Sequence, residues 1–343
     1  MFFKEVAGPM AVRLGLLWFA VPACVLGASL LGCQVPVVPP HPDASLTPVG
    51  RLWPGPTLFG AQTHIRRPNV PYLQRIAAAG FDAVRVSLTP WWAQSRHGGW
   101  MWTNYDAIYT WLIRHKMTPL FMLENPRSTD DLPAMEYFAE RAAIRYPLAL
   151  LELGNEPDSA AQWPGFYPPH ARSAVTPEAY WAIVKRFALA WRKGNPHAII
   201  GTAGTSGIDF PWQRGLIAAI EKDGAFRDGT IKAIGVHAYG EPFPYAGQRG
   251  GIVADLAELK TMLPRDVLVW VTEYGLPDPR PEDVHAWFDV MQRLGVPLFC
   301  WYEAQDDVLD GKTQPYGLIR LDGSPKPAYG AAKAFLLARS KTQ

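Results

Sequence analysis

The chain has 343 residues, 48% of them hydrophobic and 19% charged, which is enough apolar material for one large core. Its formal net charge is only +2 and no Lys/Arg cluster occurs, so nucleic acid is excluded as an expected partner.

Residues 1–33 read as an export signal rather than as part of a fold. Lys4 and Arg13 supply a positive leading region, Leu14 to Leu31 is apolar, and small residues precede Cys33. Leu30-Leu31-Gly32-Cys33 resembles the lipobox of bacterial lipoproteins. That resemblance implies that Cys33 is acylated and anchors the chain to a membrane, facing the periplasm or the cell surface. A plain cleaved signal and an uncleaved anchor helix are the alternatives, since an apolar stretch of about 18 residues approaches the length of a bilayer span. Cys24 lies within the signal, so Cys300 alone remains in the body and no internal disulfide is expected. Residues 34–56 are rich in proline and read as an extended spacer.

From residue 57 to 343, short apolar runs alternate with amphipathic stretches. Leu58–Thr63 is a first strand, Val70–Ala79 a helix stopped by Gly80, and Phe81–Leu88 a second strand carrying Arg85. A loop with Trp91, Trp92, Trp100 and Trp102 follows, then a helix over Tyr105–Lys116. Pro119–Leu123 is a third strand, ending at Glu124-Asn125, and Leu132–Arg145 a third helix. The run from Leu148 to Leu153 is a fourth strand, broken by Gly154-Asn155-Glu156-Pro157. Thr176–Lys193 is a helix with a capping residue and then Pro at its first position.

Ala198–Thr202 and Trp212–Lys222 form a fifth strand and helix, and Ile231–Val236 is a sixth strand ending His237-Ala238-Tyr239. After a helix over Gly251–Met262, the seventh strand, Val267–Val271, ends Thr272-Glu273-Tyr274-Gly275. Pro281–Leu294 is a helix, Pro297–Trp301 the eighth strand, and Ala328–Ala338 the eighth helix. Eight strand–helix units predict a single α/β domain, a (β/α)8 TIM barrel. A doubly wound open sheet is the competitor, but no G-x-G-x-x-G follows an early strand.

In such a barrel the C-terminal ends of the strands converge on one face. Here they carry His64, Arg85, Glu124-Asn125, Asn155-Glu156, His237 with Tyr239, Glu273, and Trp301 with Glu303. Glu156 and Glu273 face each other across the barrel mouth from strands four and seven. Two facing carboxylates serve glycoside hydrolysis, one donating a proton to the leaving oxygen and one acting as nucleophile. The donor needs a raised pKa, whereas Arg85 beside Glu273 would keep the nucleophile ionised.

Gly154-Asn155-Glu156-Pro157 with Val271-Thr272-Glu273-Tyr274-Gly275 resembles the retaining glycoside hydrolases of clan A, including cellulase-type families and family 39. The resemblance implies Glu156 as acid/base and Glu273 as nucleophile, with net retention through a covalent glycosyl-enzyme. It also implies that Asn155 contacts the sugar 2-hydroxyl, that Arg85, His237 and Tyr239 attend the nucleophile, and that Trp301 floors the −1 subsite. The carboxylates are then expected about 5–5.5 Å apart. The chemistry calls for no metal and no cofactor, and a monomer is expected.

Other residues have two readings each. Trp91, Trp92, Trp100 and Trp102 either line a sugar subsite or pack within their own loop. Trp163 and Tyr167 are candidate contacts on the leaving-group side. His64 and His237 are substrate ligands or satisfied histidines, Arg85 a substrate ligand or a structural ion pair, and Trp301 a subsite floor or core. Glu303 and Glu124 hold substrate hydroxyls or Arg85. Asp306, Asp307 and Asp310 lack EF-hand spacing and read as a solvated turn rather than a Ca²⁺ loop. The expected function is a retaining β-glycoside hydrolase acting on a polysaccharide or oligosaccharide, with endo action favoured by the aromatic loops. A transglycosylase using the same glutamates and a non-catalytic polysaccharide-binding lipoprotein are the alternatives.

Overall fold

The computed structural model describes residues 52–65, 69–93, 100–159, 161–163, 175–239, 251–309 and 311–339. The export signal with Cys33, most of the proline-rich spacer, Tyr167 and Asp310 lie outside the described residues.

Eight strands close into a barrel in sequence order. They are β1 (Leu58–Thr63), β2 (Ala83–Leu88), β3 (Thr118–Leu123), β4 (Leu150–Leu153), β5 (Ile200–Thr202), β6 (Ala233–His237), β7 (Leu268–Tyr274) and β8 (Leu298–Trp301). Every pairing around the ring is parallel, including β8 back onto β1. The helices are α1 (Val70–Ala78), α2 (Pro90–Ala93), α3 (Thr103–Arg114), α4 (Leu132–Arg145), α5 (Pro177–Gly194), α6 (Phe210–Lys222), α7 (Ile252–Thr261), α8 (Pro281–Leu294) and α9 (Pro327–Arg339). This is the expected (β/α)8 barrel. The short α2 and a hairpin of β9 (Asp307–Leu309) and β10 (Lys312–Gln314) are additions that periodicity did not predict. No described helix is long and apolar enough to cross a membrane.

Local signals start the helices, α5 where expected and α6 two residues before the expected Trp212. Thr176 caps α5 by accepting a hydrogen bond from the Ala179 amide at 3.2 Å, and Pro177 occupies the first turn. Asp209 caps α6 through the Trp212 amide at 3.1 Å. α9 is tied to the start of the barrel by Arg339, which donates to the Thr57 carbonyl and pairs with Asp82, each at 2.5 Å.

The strands alternate between two environments. Val84 and Val86 of β2, Leu151 and Leu153 of β4, and Phe299 and Trp301 of β8 pack outward under the helices in the main apolar core. Their alternating neighbours face the barrel axis, where Ala83, Leu120, Ala233, Trp270, Leu298 and Cys300 make a separate apolar layer. That layer is tight: a Cβ on Gly201 would stand 2.6 Å from the Trp270 ring, so glycine is what lets the indole fill the axis. One step further towards the C-terminal ends, the inward residues become Gln62, Arg85 and Glu152, all buried. The barrel is thus apolar at its base and charged under its mouth.

Candidate active site

Two irregularities aim the upper side chains. The β6–β7 register shifts after Val236, bringing His237 opposite Glu273. The β7–β8 register shifts between Val271 and Tyr274. Such bulges re-aim side chains at barrel rims. After β4, Gly154 takes φ 91° and Glu156 φ 42°, both in the left-handed region. For a glutamate this conformation is strained, and strain of this kind collects at functional sites. The turn is held in place by Asn125. Its side-chain oxygen accepts from the Asn155 amide at 2.7 Å, and its Nδ2 donates to the Asn155 carbonyl at 2.9 Å.

The two glutamates come together as expected. His237 Nδ1 stands 3.1 Å from Glu156 Oε1 and 3.5 Å from Glu273 Oε2. One oxygen of each carboxylate and this nitrogen all lie within 4.8 Å of one another. Glu273 is the better buried, with 9% of its side chain exposed against 18% for Glu156. It is gripped from both sides, by Arg85 Nη1 at 2.5 Å on Oε1 and by the Tyr239 hydroxyl at 3.0 Å on Oε2.

Charge follows from these contacts. Burial alone would raise the Glu273 pKa, but His237, Arg85 and the Tyr239 hydroxyl outweigh it and hold the carboxyl below its ordinary value. Burial likewise works against the His237 imidazolium, but the Glu273 charge and the Glu156 hydrogen bond prevail and raise its pKa. Burial, reinforced by Glu273, keeps Tyr239 in its neutral hydroxyl form far above its usual value. Arg85 also donates to Glu152 at 2.5 Å, Gln62 at 2.8 Å and Asn155 Oδ1 at 3.0 Å. Its contact with Asn155 Oδ1 orients that amide. Two carboxylates on one guanidinium explain how a charge can sit inside the barrel at all, because an unpaired one would carry a desolvation cost of several kcal/mol, by rough estimate.

Above this cluster opens a cleft of about 740 Å³. Among the expected residues, His64, Trp91, Trp92, Asn155, Glu156, Tyr239 and Glu273 line it, as does Glu124. The others are placed elsewhere. Trp301 is fully buried, donates from Nε1 to the Tyr316 carbonyl at 3.3 Å and packs on Tyr274 and Phe288. Strand alternation turns it out towards α8, so the expectation of a subsite floor is corrected, and Tyr302 lines the cleft in its stead. Trp163 is also fully buried: it donates to the Asn155 carbonyl at 2.9 Å and meets Tyr180 edge-on, supporting the Gly154 turn from behind. Arg85 and His237 are fully buried; His237 reaches the cleft through the two glutamates, and Arg85 through Glu273, Gln62 and Asn155. The His237 ring packs on Gly204, where a Cβ would stand 2.2 Å from it.

Glu303 lies outside the cleft wall, 1% exposed, with Oε2 3.4 Å from His64 Nε2. Burial, with Asp307, Asp306 and Glu273 nearby, pushes its carboxyl up to about 9. Trp100 and Trp102 pack on Phe138 at 4.8 and 4.7 Å, the structural reading of that pair. Asp306 is buried on Lys326 at 2.7 Å, so it is no solvated turn residue.

Sequence reasoning missed Glu152, Gln62, Arg127, Tyr302 and Tyr316. Glu152 was hidden inside an apolar run, although a lone carboxylate in a buried strand is itself a signal for a buried partner. The Arg127 guanidinium lies 4.4 Å over the Trp91 ring on the cleft wall.

No protein-family model and no curated protein matches the chain. Solved structures do. A family 39 glycoside hydrolase from the gut symbiont Bacteroides cellulosilyticus WH2 superposes with TM-score 0.61 and 20% identity over 81% of this chain and 62% of that one, so this chain spans less than two thirds of its length. A psychrophilic family 10 endo-β-1,4-xylanase gives 0.58 and 13%, over 81% and 96% of the two chains. An endo-β-1,4-glucanase from Xanthomonas axonopodis pv. citri gives 0.58 and 15%, over 82% and 99%. At such identities the likeness is one of architecture, and the chain has the (β/α)8 barrel fold in which these glycoside hydrolases are built.

Proposed function

We propose that the protein is a retaining β-glycoside hydrolase acting on a polysaccharide or oligosaccharide. The observation that carries this reading is the pair Glu156 and Glu273, close enough for one imidazole nitrogen to reach both. Retaining enzymes hold their carboxyl groups about 5–5.5 Å apart and inverting ones about 6.5–9.5 Å, and an oxygen separation within 4.8 Å supports the first class.

Glu273, kept ionised by Arg85 and Tyr239, attacks the anomeric carbon. As that bond forms, Glu156 gives its proton to the glycosidic oxygen and the leaving sugar departs. Glu156, now a carboxylate, takes a proton from water. The resulting hydroxide displaces Glu273 from the anomeric carbon and restores both groups. Asn155, its Oδ1 engaged by Arg85, turns its Nδ2 to the sugar 2-hydroxyl. Trp91, Trp92, Tyr302 and Tyr316 offer apolar faces along an open cleft, which supports endo action on a chain.

The test is covalent trapping with 2-deoxy-2-fluoro glycosides on a screen of sugars, read by mass spectrometry, with product anomers followed by NMR. A glycosyl adduct on Glu273, a retained anomer, and loss of at least about a thousandfold in kcat for Glu273→Ala are expected. An inverted product, or full activity in that variant, would sink the mechanism. Transfer to an added sugar in preference to water would make the protein a transglycosylase.

The same proposal includes export and lipidation at Cys33. Cys33→Ser is expected to move the protein from the membrane fraction to the soluble exported fraction and to abolish labelling by a palmitate analogue. Membrane retention without label would favour an uncleaved anchor helix.

A further inference from the structure

A second cluster of ligating side chains stands beside the cleft, outside the glutamate pair. His64 follows β1, and Glu303 and Asp307 follow β8, which pairs with β1 to close the barrel. One imidazole nitrogen and one oxygen from each carboxylate lie within 4.8 Å of one another. We propose that His64, Glu303 and Asp307 form a site for a single divalent transition-metal ion of the zinc type, independent of the hydrolytic reading.

Three features support it. First, the geometry suits the ion: metal–ligand bonds of about 2.0–2.1 Å in a tetrahedral site put neighbouring ligand atoms about 3.4 Å apart. His64 Nε2 and Glu303 Oε2 are 3.4 Å apart. Second, Glu303 is 1% exposed, and its other oxygen, Oε1, is buried with no hydrogen-bond partner among the described residues. A buried carboxyl oxygen with nothing to bind is costly unless a proton or a metal cation takes it. Third, among the described residues positive charge is short at this spot. Lys326 is committed to Asp306 at 2.7 Å and Asp278 at 3.3 Å, and among the described residues no Lys or Arg forms an ion pair with Glu303 or Asp307.

The donor set selects the ion. Ca²⁺ and Mg²⁺ prefer oxygen ligands alone, whereas an imidazole with two carboxylates suits zinc, manganese or cobalt. Three protein ligands leave a fourth position for water. Asp307 and His64 are exposed, which leaves an entry path. The ion would tie the connection after β1 to the β9–β10 hairpin and so brace the Tyr302 side of the cleft.

Zinc chloride titrated calorimetrically into the chelator-treated protein is expected to fill one site and to raise the melting temperature. Asp307→Asn and His64→Gln are each expected to weaken that binding by about tenfold or more. Glu156→Gln, in the other histidine–carboxylate cluster, is expected to leave the zinc affinity unchanged. Circular dichroism of the metal-free variants is expected to match that of the wild type, and two independent ligand variants guard against a single local failure. Absence of saturable binding overturns the proposal, as does an unchanged affinity in both ligand variants. Loss of zinc on Glu156→Gln with retention in Asp307→Asn also overturns it, placing the ion at the glutamate pair. So does binding of glucosamine hydrochloride that Asp307→Asn removes in a protein that takes no zinc, which would mark an ammonium site.

Discussion

Arg85 donates four hydrogen bonds from inside the barrel, and two of them end on carboxylates. Its role is to let Glu273 stay charged where water is scarce, and Tyr239 shares that role from the opposite oxygen. A hydrogen bond to a charged acceptor contributes about 1.5–3 kcal/mol, and a tenfold change in proton affinity corresponds to about 1.4 kcal/mol. Tyr239→Phe removes a stabiliser of the ionised form, so the Glu273 pKa must rise. The acid limb of the kcat/KM profile is expected to move to higher pH, by about the pH change that alters proton concentration tenfold, with the alkaline limb little changed. An unmoved acid limb would mean that Glu273 does not depend on this hydroxyl.

The turn after β4 is the element on which the arrangement depends. Its conformation needs Gly154 at φ 91°, and a Cβ there would come 2.7 Å from Asn125 Oδ1. Gly154→Ala therefore meets both a left-handed backbone, costing about 1–2 kcal/mol for an L-residue, and the side chain that positions Asn155. A stability loss of about 2 kcal/mol in urea is expected. Because misplacement by about 1 Å is enough to cost roughly a hundredfold in rate, kcat is expected to fall by a larger factor than folding alone accounts for. A variant with reduced stability but unaltered kcat would show that Asn125 does not transmit the turn's geometry to Glu156. β6 and β7 contribute comparably, because the register shift in their pairing is what sets His237 against Glu273.

Across the whole molecule, the same charges link stability to pH. Glu273 has a folded pKa below its ordinary 4.5, so its contribution is complete above that value and is lost as pH falls through the depressed one. His237 has a folded pKa above its ordinary 6.5, so its contribution is complete below 6.5 and is lost as pH rises through the raised one. Both are complete between about 4.5 and 6.5. The melting temperature of the wild type is expected to exceed that of His237→Asn by most in this window, and the gap is expected to close on the alkaline side. A gap that widens with rising pH would contradict the assignment of the imidazolium.

Much of this molecule is legible without coordinates. The bounds of β1, α4 and α8 coincide with the periodic runs, because hydrophobic alternation and chain-breaking residues act locally. The likeness of Gly154-Asn155-Glu156-Pro157 and Glu273 to a known pair likewise needs only residue type and strand order. Placement within the site needed the fold. Trp301 and Trp163 read as sugar platforms, yet both are buried, because whether a ring meets the cleft or the helices turns on alternation, bulges and the path of a loop. Glu152 looked like part of an apolar strand, and its partner Arg85 lies 67 positions away. The sequence by itself determined the eight strand–helix units, since these rest on short-range pattern, and it pointed to the two carboxylates through their resemblance to a known pair. The tertiary structure alone decided which residues touch those carboxylates, and hence their charge, because electrostatics in a buried site depends on distances of a few ångströms between strands remote in the chain.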